Sequence, residues 1–97
     1  MIRRDEINTY QYGNTVRFEC TFYGFDGEKI DPENVRIIIY DPRYKKMFEG
    51  EGIRVEEGSY YYDYTTEEKE QRYYYEWCGE IDNKPSLKRG QFMTRFF

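Results

Sequence analysis

The chain almost lacks the residues that build helices. It contains no alanine and a single leucine, Leu87, whereas tyrosine, phenylalanine, isoleucine, valine and threonine are plentiful. Alanine and leucine have the highest helix propensities, while aromatic and β-branched residues fit the pleated surface of a sheet. The composition therefore predicts an all-β protein.

A length of 97 residues fits one domain with a modest core. Aromatic residues make up 21% of the chain, so it carries bulky apolar surface that a disordered chain lacks. We predict one folded domain over residues 1–97. Within it, residues 1–12 form either an edge strand or an arm that orders on assembly.

Short runs alternate between apolar and polar side chains, as half-buried strands do. Two tyrosine triplets, at residues 60–62 and 73–75, follow the same alternation. Strand parity assigns these side chains to the core: Val16, Phe18, Cys20, Phe22, Val35, Ile37, Ile39, Tyr60, Tyr62, Tyr64, Tyr73, Tyr75 and Trp77. The same parity turns Tyr61 and Tyr74 outward.

Clusters of Gly, Pro, Asp and Asn mark the boundaries between these runs. They predict loops at residues 24–34 and 81–90, a hairpin at residues 50–52 and a last strand at residues 91–97. The segment TTEE at residues 65–68 resembles a capping box, which predicts one helical turn over residues 67–71. About seven short strands favour a two-sheet antiparallel sandwich, with a small closed barrel as the alternative.

The chain has few of the residue combinations that form catalytic or metal-binding sites. There is no histidine, which removes the usual Ser-His, Cys-His and zinc arrangements. Four acidic residues alternate between Asp26 and Glu33, but Gly and Pro already explain that segment as turns rather than a calcium loop. We expect no enzyme activity, no cofactor and no metal.

Charge and hydropathy argue against two classes of partner, nucleic acids and membranes. The formal net charge is −4, and the basic cluster of Arg43, Lys45 and Lys46 is small, so we expect no nucleic-acid partner. No run approaches the roughly 18 apolar residues that span a bilayer, so we expect no membrane partner. The first six residues lack the apolar stretch of a signal peptide, which predicts synthesis in the cytoplasm.

Several segments resemble strands of immunoglobulin-like domains. These are GNTVRFECTF at residues 13–22, GSYYYDYTT at residues 58–66 and YYYEWCG at residues 73–79. With IDPENVRIIIYDP and GQFMTRF added, nearly the whole chain is similar to small stand-alone Ig-like proteins of tailed-phage structural modules and to Ig-like modules of prokaryotic surface proteins. The resemblance implies a sandwich that binds other molecules.

The two cysteines occupy the strands that carry the inter-sheet disulfide in antibody domains. Cys20 shares its parity with the apolar Phe18 and Phe22, whereas Cys78 shares its parity with Glu76. Side chains that point to different faces cannot meet disulfide geometry. We therefore predict two free thiols and a reducing compartment.

Aromatic residues outside the core are the main functional signal, because exposed rings suit protein interfaces and flat sugar faces. The alternative is that cross-strand tyrosine pairs only stabilise the sheet. Under an Ig-like topology, the two loops at residues 24–34 and 81–90 emerge at one end. At least one of Phe96 and Phe97 is expected to be buried, either inside the domain or on a partner. The predicted partner-binding residues are Tyr23, Phe25, Tyr40, Tyr61, Tyr74, Lys84, Lys88, Arg89 and Phe97.

The sequence thus predicts a structural or assembly protein without catalytic activity. Following the resemblance, we expect a phage virion component of the capsid, head-tail connector or tail that contacts many copies of protein subunits. It would be made in the host cytoplasm and located in the virion, with the cytoplasm or the cell surface as the alternative. A carbohydrate-binding module that uses Tyr61 and Tyr74 is the alternative function, and a small regulator of a host protein is a third.

Overall fold

The structure, a computed structural model of the protein, describes residues 8–97. Eight strands and no helix occur within this range. The strands are β1 (Asn8–Gln11), β2 (Thr15–Thr21), β3 (Glu33–Tyr40), β4 (Lys46–Glu51), β5 (Ile53–Glu56), β6 (Ser59–Thr65), β7 (Gln71–Ile81) and β8 (Lys84–Arg95).

The strands form two separate sheets. The larger sheet has the order β1-β8-β7-β3-β4, and the smaller has the order β2-β6-β5. Neighbouring strands are antiparallel except β1 and β8, which run parallel. The all-β two-sheet sandwich is confirmed and the closed barrel is not formed, although there is one strand more than expected and one pairing is parallel. This strand order is compatible with an immunoglobulin-like sandwich.

The core lies between the two sheets and is mainly aromatic. Trp77, Tyr73 and Phe92 are fully buried on the inner face of the larger sheet, and Tyr73 stacks on Phe92 with ring centroids 4.6 Å apart. Phe18 from the smaller sheet packs against Phe92 at 5.3 Å. Strand parity is confirmed: the predicted inward residues are buried, except that Tyr62, Tyr64 and Tyr75 are partly buried and pack against the same cluster.

Residues 50–52 do not form the predicted hairpin. β4 and β5 are not paired with each other but lie in different sheets, and Gly52 alone carries the chain from the larger sheet to the smaller. Gly52 donates its N–H to the carbonyl of Val35, and a Cβ at Gly52 would lie 2.8 Å from Val35 and 3.0 Å from the Trp77 ring. Glycine is needed here because the backbone passes directly over the core, which the turn-like sequence concealed.

The other edge of the sandwich has a similar link. Residues 12–14 join β1 in the larger sheet to β2 in the smaller. Each side of the sandwich is therefore bridged by a short connection. β1 lies at the edge of the larger sheet, within the residues 1–12 that were predicted to form an edge strand or an arm. The rest of that prediction, at residues 1–7, lies outside the described residues.

The predicted loop at residues 81–90 is wrong. β7 and β8 instead form a long hairpin joined by Asp82 and Asn83, whose φ angles are 52° and 62°. Positive φ at both central residues is the type I′ pattern that matches the twist of a hairpin. The last strand accordingly starts at Lys84 rather than at residue 91.

Pro85 concealed this hairpin, since proline removes a ladder hydrogen bond within a sheet. The N–H of Tyr12 donates to the carbonyl of Arg95, so the odd-numbered residues of β8 direct their backbone groups towards the β1 side. Pro85 is one of these residues. Its missing N–H therefore removes no bond to β7, and the strand tolerates it.

The predicted helical turn at residues 67–71 is also wrong. Thr66 is buried, and its hydroxyl accepts the N–H of Gly13 at 2.9 Å and donates to the carbonyl of Asn14 at 3.0 Å. Thr66 thus joins the β6–β7 connection to the β1–β2 link. Thr65, which would cap the helical turn, instead ends β6 and shares a hydrogen bond with the Thr15 hydroxyl at 2.8 Å. Within the described part of the chain, no helix is long and apolar enough to cross a membrane.

Candidate functional site

The outer face of the larger sheet carries a concave site, which we call the tyrosine pocket. It has a volume of about 330 Å³. The residues that line it are Tyr40, Tyr44, Tyr74, Tyr75, Glu76, Arg89 and Gly90. Three strands and one loop contribute to it.

Strand register positions these side chains. Tyr40 on β3 lies opposite Tyr74 on β7, and Glu76 on β7 lies opposite Arg89 on β8. Residues two apart on a strand share a face, so Tyr74 and Glu76 are neighbours on the outer face. The pocket therefore combines neighbouring tyrosine rings with one ion pair, Glu76–Arg89.

Tyr44 forms one wall of the pocket from the loop between β3 and β4. Its φ is 63°, a left-handed conformation that costs a bulky residue about 1–3 kcal/mol. The Asp41 carboxylate holds the loop by accepting the N–H of Arg43 at 2.8 Å and of Lys45 at 2.9 Å. The Tyr44 ring stacks on Tyr74 at 4.5 Å, so the strained backbone fixes a ring at the rim.

Glu76 is a buried carboxylate on this otherwise accessible face. It accepts hydrogen bonds from Arg89 Nε at 2.5 Å, Cys78 Sγ at 3.3 Å and Tyr40 Oη at 3.4 Å. Burial alone would raise the pKa of Glu76, but these bonds and the charge of Arg89 outweigh it and lower that pKa. Burial and then Glu76 raise the pKa of Cys78 to about 11. Glu76 is therefore a fixed anion that orients Arg89.

Arg89 reaches Glu76 through Nε alone. Its side chain remains 70% exposed, and its two terminal nitrogens have no hydrogen-bond partner among residues 8–97. Arg17 on the opposite face differs, because it binds Asp63 through both Nε (2.7 Å) and a terminal nitrogen (2.8 Å). Arg89 thus leaves both terminal nitrogens free to donate hydrogen bonds in the tyrosine pocket, whereas Arg17 already uses one of its terminal nitrogens to bind Asp63.

Arg72 brings a second positive charge close to the pocket. Arg72 donates to Gln91 at 2.9 Å and lies close enough to Tyr44 to oppose the rise in the pKa of Tyr44 that Tyr74 causes. Arg43 and Lys45 flank Tyr44 in the loop. None of these three cations forms an ion pair with another described residue. Asp41 offsets the charges of Arg43 and Lys45, which lower its pKa through hydrogen bonds and charge, so Arg72 is the added cation beside the Glu76–Arg89 pair.

The structure brings three of the predicted partner-binding residues together, namely Tyr40, Tyr74 and Arg89. Tyr61 lies on the smaller sheet, facing away from them, and the guanidinium of Arg17 covers its ring at 4.3 Å. Tyr61 and Tyr74 therefore do not form one platform.

Two further predicted residues meet near the start of the β2–β3 connection. Lys88 donates to the carbonyl of Thr21 at 3.0 Å, and its ammonium lies 6.0 Å from the ring centroid of Tyr23. Phe25 is exposed in the same connection, and Lys84 is exposed beside the turn of the β7–β8 hairpin. None of these four residues lines the tyrosine pocket.

Phe97 lies apart from both groups, with its N–H donating to the side-chain oxygen of Gln11 at 2.8 Å. Phe96 packs against Tyr12 in a tilted arrangement, with ring centroids 5.5 Å apart. Both phenylalanine side chains are exposed, so neither is buried within the described chain, and burial on a partner stays a prediction.

Sequence reasoning missed Tyr44 and Glu76 as members of the site. Tyr44 carried one weak signal, since it follows Asp41-Pro42 in a turn, but the left-handed backbone that places its ring is not encoded in any residue pattern. Glu76 carried none, because an outward glutamate on a strand is usually solvated. Within residues 8–97, no group of three or more His, Cys, Asp or Glu side chains could hold a metal ion.

The predicted absence of a disulfide is confirmed. Cys20 and Cys78 are free thiols and both are buried, one on the inner and one on the outer face of the sandwich. Comparisons of the chain with models of protein families, with curated proteins and with solved structures gave no match.

Proposed function

We propose that the protein is a non-enzymatic assembly protein that binds partner protein subunits through the outer face of its larger sheet. The observation that carries the proposal is the tyrosine pocket, where exposed rings surround an arginine with free donors. Tyrosine and arginine are enriched in the cores of protein interfaces and among the residues that dominate binding energy. A ring that is already fixed in place loses little conformational freedom on binding.

The setting we propose is a phage virion component of the capsid, head-tail connector or tail. Its support is the resemblance of the strand segments to small Ig-like proteins of tailed phages. In such a particle many copies would bind a repeating lattice, so that weak single contacts give stable attachment. The protein would be made in the host cytoplasm and reside in the virion, with the cytoplasm or the cell surface as the alternative.

Density-gradient sedimentation of a native lysate that contains the tagged protein tests this function. We expect the protein to sediment in a large particle together with stoichiometric partner proteins. The variant Tyr44→Gly should leave the particle, because glycine adopts the same left-handed backbone but removes the ring. The matched control, Tyr61→Ala on the opposite face, should remain in it. A wild-type protein that sediments slowly and alone would refute the proposal.

Carbohydrate binding is the second candidate function, and one observation favours it. The Tyr44 ring is 67% exposed and lies beside Arg89 and Glu76, and an aromatic face next to planar polar groups also suits a sugar. A glycan array with the wild-type protein checks this candidate. Binding that is lost in Tyr44→Gly and kept in Tyr61→Ala would support it, and an array without binding would remove it.

A further inference from the structure

The unused donors of Arg89 indicate what the tyrosine pocket can receive. A guanidinium whose Nε is bound to an internal carboxylate presents its two terminal nitrogens along one edge, which matches the two oxygens of an incoming carboxylate. Glu76 also fixes the direction of that edge, because it is buried and bound by three donors. An arginine oriented in this way is prepared for an anion.

The local charge favours the same kind of ligand. Arg72 lies near Tyr44 and forms no ion pair with another described residue, whereas Arg43 and Lys45 flank the Asp41 carboxylate and Lys46 is paired with Glu49 at 2.7 Å. The carboxylate inside the pocket, Glu76, is neutralised by Arg89. An incoming carboxylate would therefore meet net attraction, while a cation would compete with Arg89 for Glu76.

The rest of the pocket fits a ring. Tyr44 and Tyr40 border a space of about 330 Å³, and the backbone strain at Tyr44 keeps its ring over Tyr74 rather than free in solvent. Aromatic pairs in offset or edge-to-face geometry add favourable energy beyond area burial. A second ring can pack against the exposed side of Tyr44 while the neighbouring carboxylate reaches Arg89.

We propose that the tyrosine pocket binds a partner-protein segment in which an aromatic residue is adjacent to Asp or Glu. The inference rests on the proposed assembly function, and it specifies the chemistry of the partner. Specificity comes from two groups together, since Arg89 selects the carboxylate and Tyr44 selects the ring.

NMR titration of the ¹⁵N-labelled full chain with short blocked peptides tests the ligand directly. The probe is acetyl-Asp-Tyr-amide, and the matched controls are acetyl-Asn-Tyr-amide, which lacks the charge, and acetyl-Asp-Ala-amide, which lacks the ring. We expect millimolar binding of the probe, with shifts in the Arg89 Nε–H signal and in the amides around Glu76 and Gly90. Each control peptide should bind roughly tenfold more weakly.

Two protein variants separate the roles of the pocket residues. Arg89→Lys keeps a cation beside Glu76 but removes the forked donors, and we expect roughly tenfold weaker binding of acetyl-Asp-Tyr-amide. Arg17→Lys makes the same change at the ion pair on the opposite face and should leave the affinity unchanged. Equal effects of the two variants, or equal binding of all three peptides, would overturn the inference.

The failure of this inference and of the assembly function can be told apart. If the particle in the lysate depends on Tyr44 but the peptides do not bind, the acidic-aromatic ligand is wrong and the assembly function stands. If the peptides bind as expected but no particle forms, the ligand stands and the assembly function is wrong. Shifts of the same signals by a neutral oligosaccharide and not by the peptide would overturn the inference in favour of a sugar.

Discussion

Two buried residues each contain a polar atom that has no hydrogen-bond partner among residues 8–97, namely the hydroxyl of Tyr73 and the indole nitrogen of Trp77. A buried group of this kind typically costs about 1–3 kcal/mol, because it loses its bonds to water without replacement. Ring packing compensates for this at both positions, since both side chains lie in the aromatic core.

The variant Tyr73→Phe should therefore raise the free energy of unfolding by about 1 kcal/mol, because it removes the unpaired hydroxyl and keeps the stack on Phe92. The control is Tyr60→Phe, which should lower the free energy of unfolding, since the Tyr60 hydroxyl donates to Asp31 at 3.0 Å. Urea unfolding followed by Trp77 fluorescence measures both changes. A destabilised Tyr73→Phe would show that the hydroxyl has a partner in solution.

The side chain of Asp31, in the loop between β2 and β3, forms hydrogen bonds to the β5–β6 hairpin. Its carboxylate accepts bonds from Arg54 Nε at 3.1 Å, the N–H of Gly58 at 2.9 Å and the hydroxyl of Tyr60 at 3.0 Å. These bonds, led by that from Arg54, lower the pKa of Asp31 to about 2. The unfolded chain binds the proton more readily, so the ionised carboxylate stabilises the fold above the ordinary pKa of aspartate.

Stability should accordingly fall as the pH drops from about 4 to about 2, where Asp31 becomes protonated in the folded state. In Asp31→Asn this part of the pH dependence should disappear. The pKa values of Asp41, Glu49, Asp63 and Glu76 are also lowered, and these groups should retain their own contributions. Thermal unfolding across this pH range checks the prediction. Asp26→Asn, in the same connection, is the control, and a curve for Asp31→Asn that parallels it and the wild type would contradict the assignment.

At the scale of elements, the local sequence pattern determines the strands, whereas tertiary contacts determine some of the connections between them. Alternation in β2, β3, β6 and β7 follows from the physical need to bury one face of a strand, so the sequence alone was sufficient there. Two connections depended on contacts that no local pattern contains. Gly52 is a glycine because Trp77 and Val35 lie beneath it, and Pro85 is tolerated because its backbone faces away from β7.

The variant Gly52→Ala tests the crossover between β4 and β5. The added methyl group would lie 2.8 Å from Val35 and 3.0 Å from Trp77, so we expect a loss of about 1–3 kcal/mol in the free energy of unfolding. Gly24→Ala is the matched control, since its nearest neighbour is the end of a flexible side chain, Asp26 Oδ1 at 3.2 Å. Equal losses in the two variants would mean that the crossover tolerates a side chain.

For the whole molecule, the arrangement of two sheets determines the chemistry of its thiols. Cys20 and Cys78 are 7% and 3% exposed and lie on different faces of the sandwich. Burial raises the pKa of both thiols, which keeps them protonated near neutral pH. The fold thus keeps the two thiols apart and shields both from solvent.

Iodoacetamide should therefore modify the native protein only at the rate of global unfolding, and a reducing agent should not change the melting temperature. Mass spectrometry of the alkylated protein measures the first effect, with a urea-unfolded sample as the control that reacts rapidly. A melting temperature that falls on reduction would indicate a disulfide and would contradict the free thiols.

The candidate site shows where reasoning from sequence ends. Parity predicted that Tyr40 and Tyr74 face outward, and Arg89 was selected for its charge, although it was placed in a loop. What makes these residues one site is the register between β3, β7 and β8 together with the left-handed backbone at Tyr44. Both depend on pairing between distant segments, so a single sequence does not reveal them.

The short links at the two edges of the sandwich have a consequence for how the molecule moves. Residues 12–14 connect the two sheets at one edge and Gly52 connects them at the other. These connections are too short to let the two sheets separate at either edge. Water can then reach the innermost amides only when the entire fold comes apart. In native-state hydrogen exchange, the free energy of opening at the amides of Ile37 and Trp77 should equal the free energy of global unfolding. A lower free energy of opening at these amides would show that the two sheets separate locally. A scaffold without such breathing keeps the tyrosine pocket in one shape, whether or not a partner is bound.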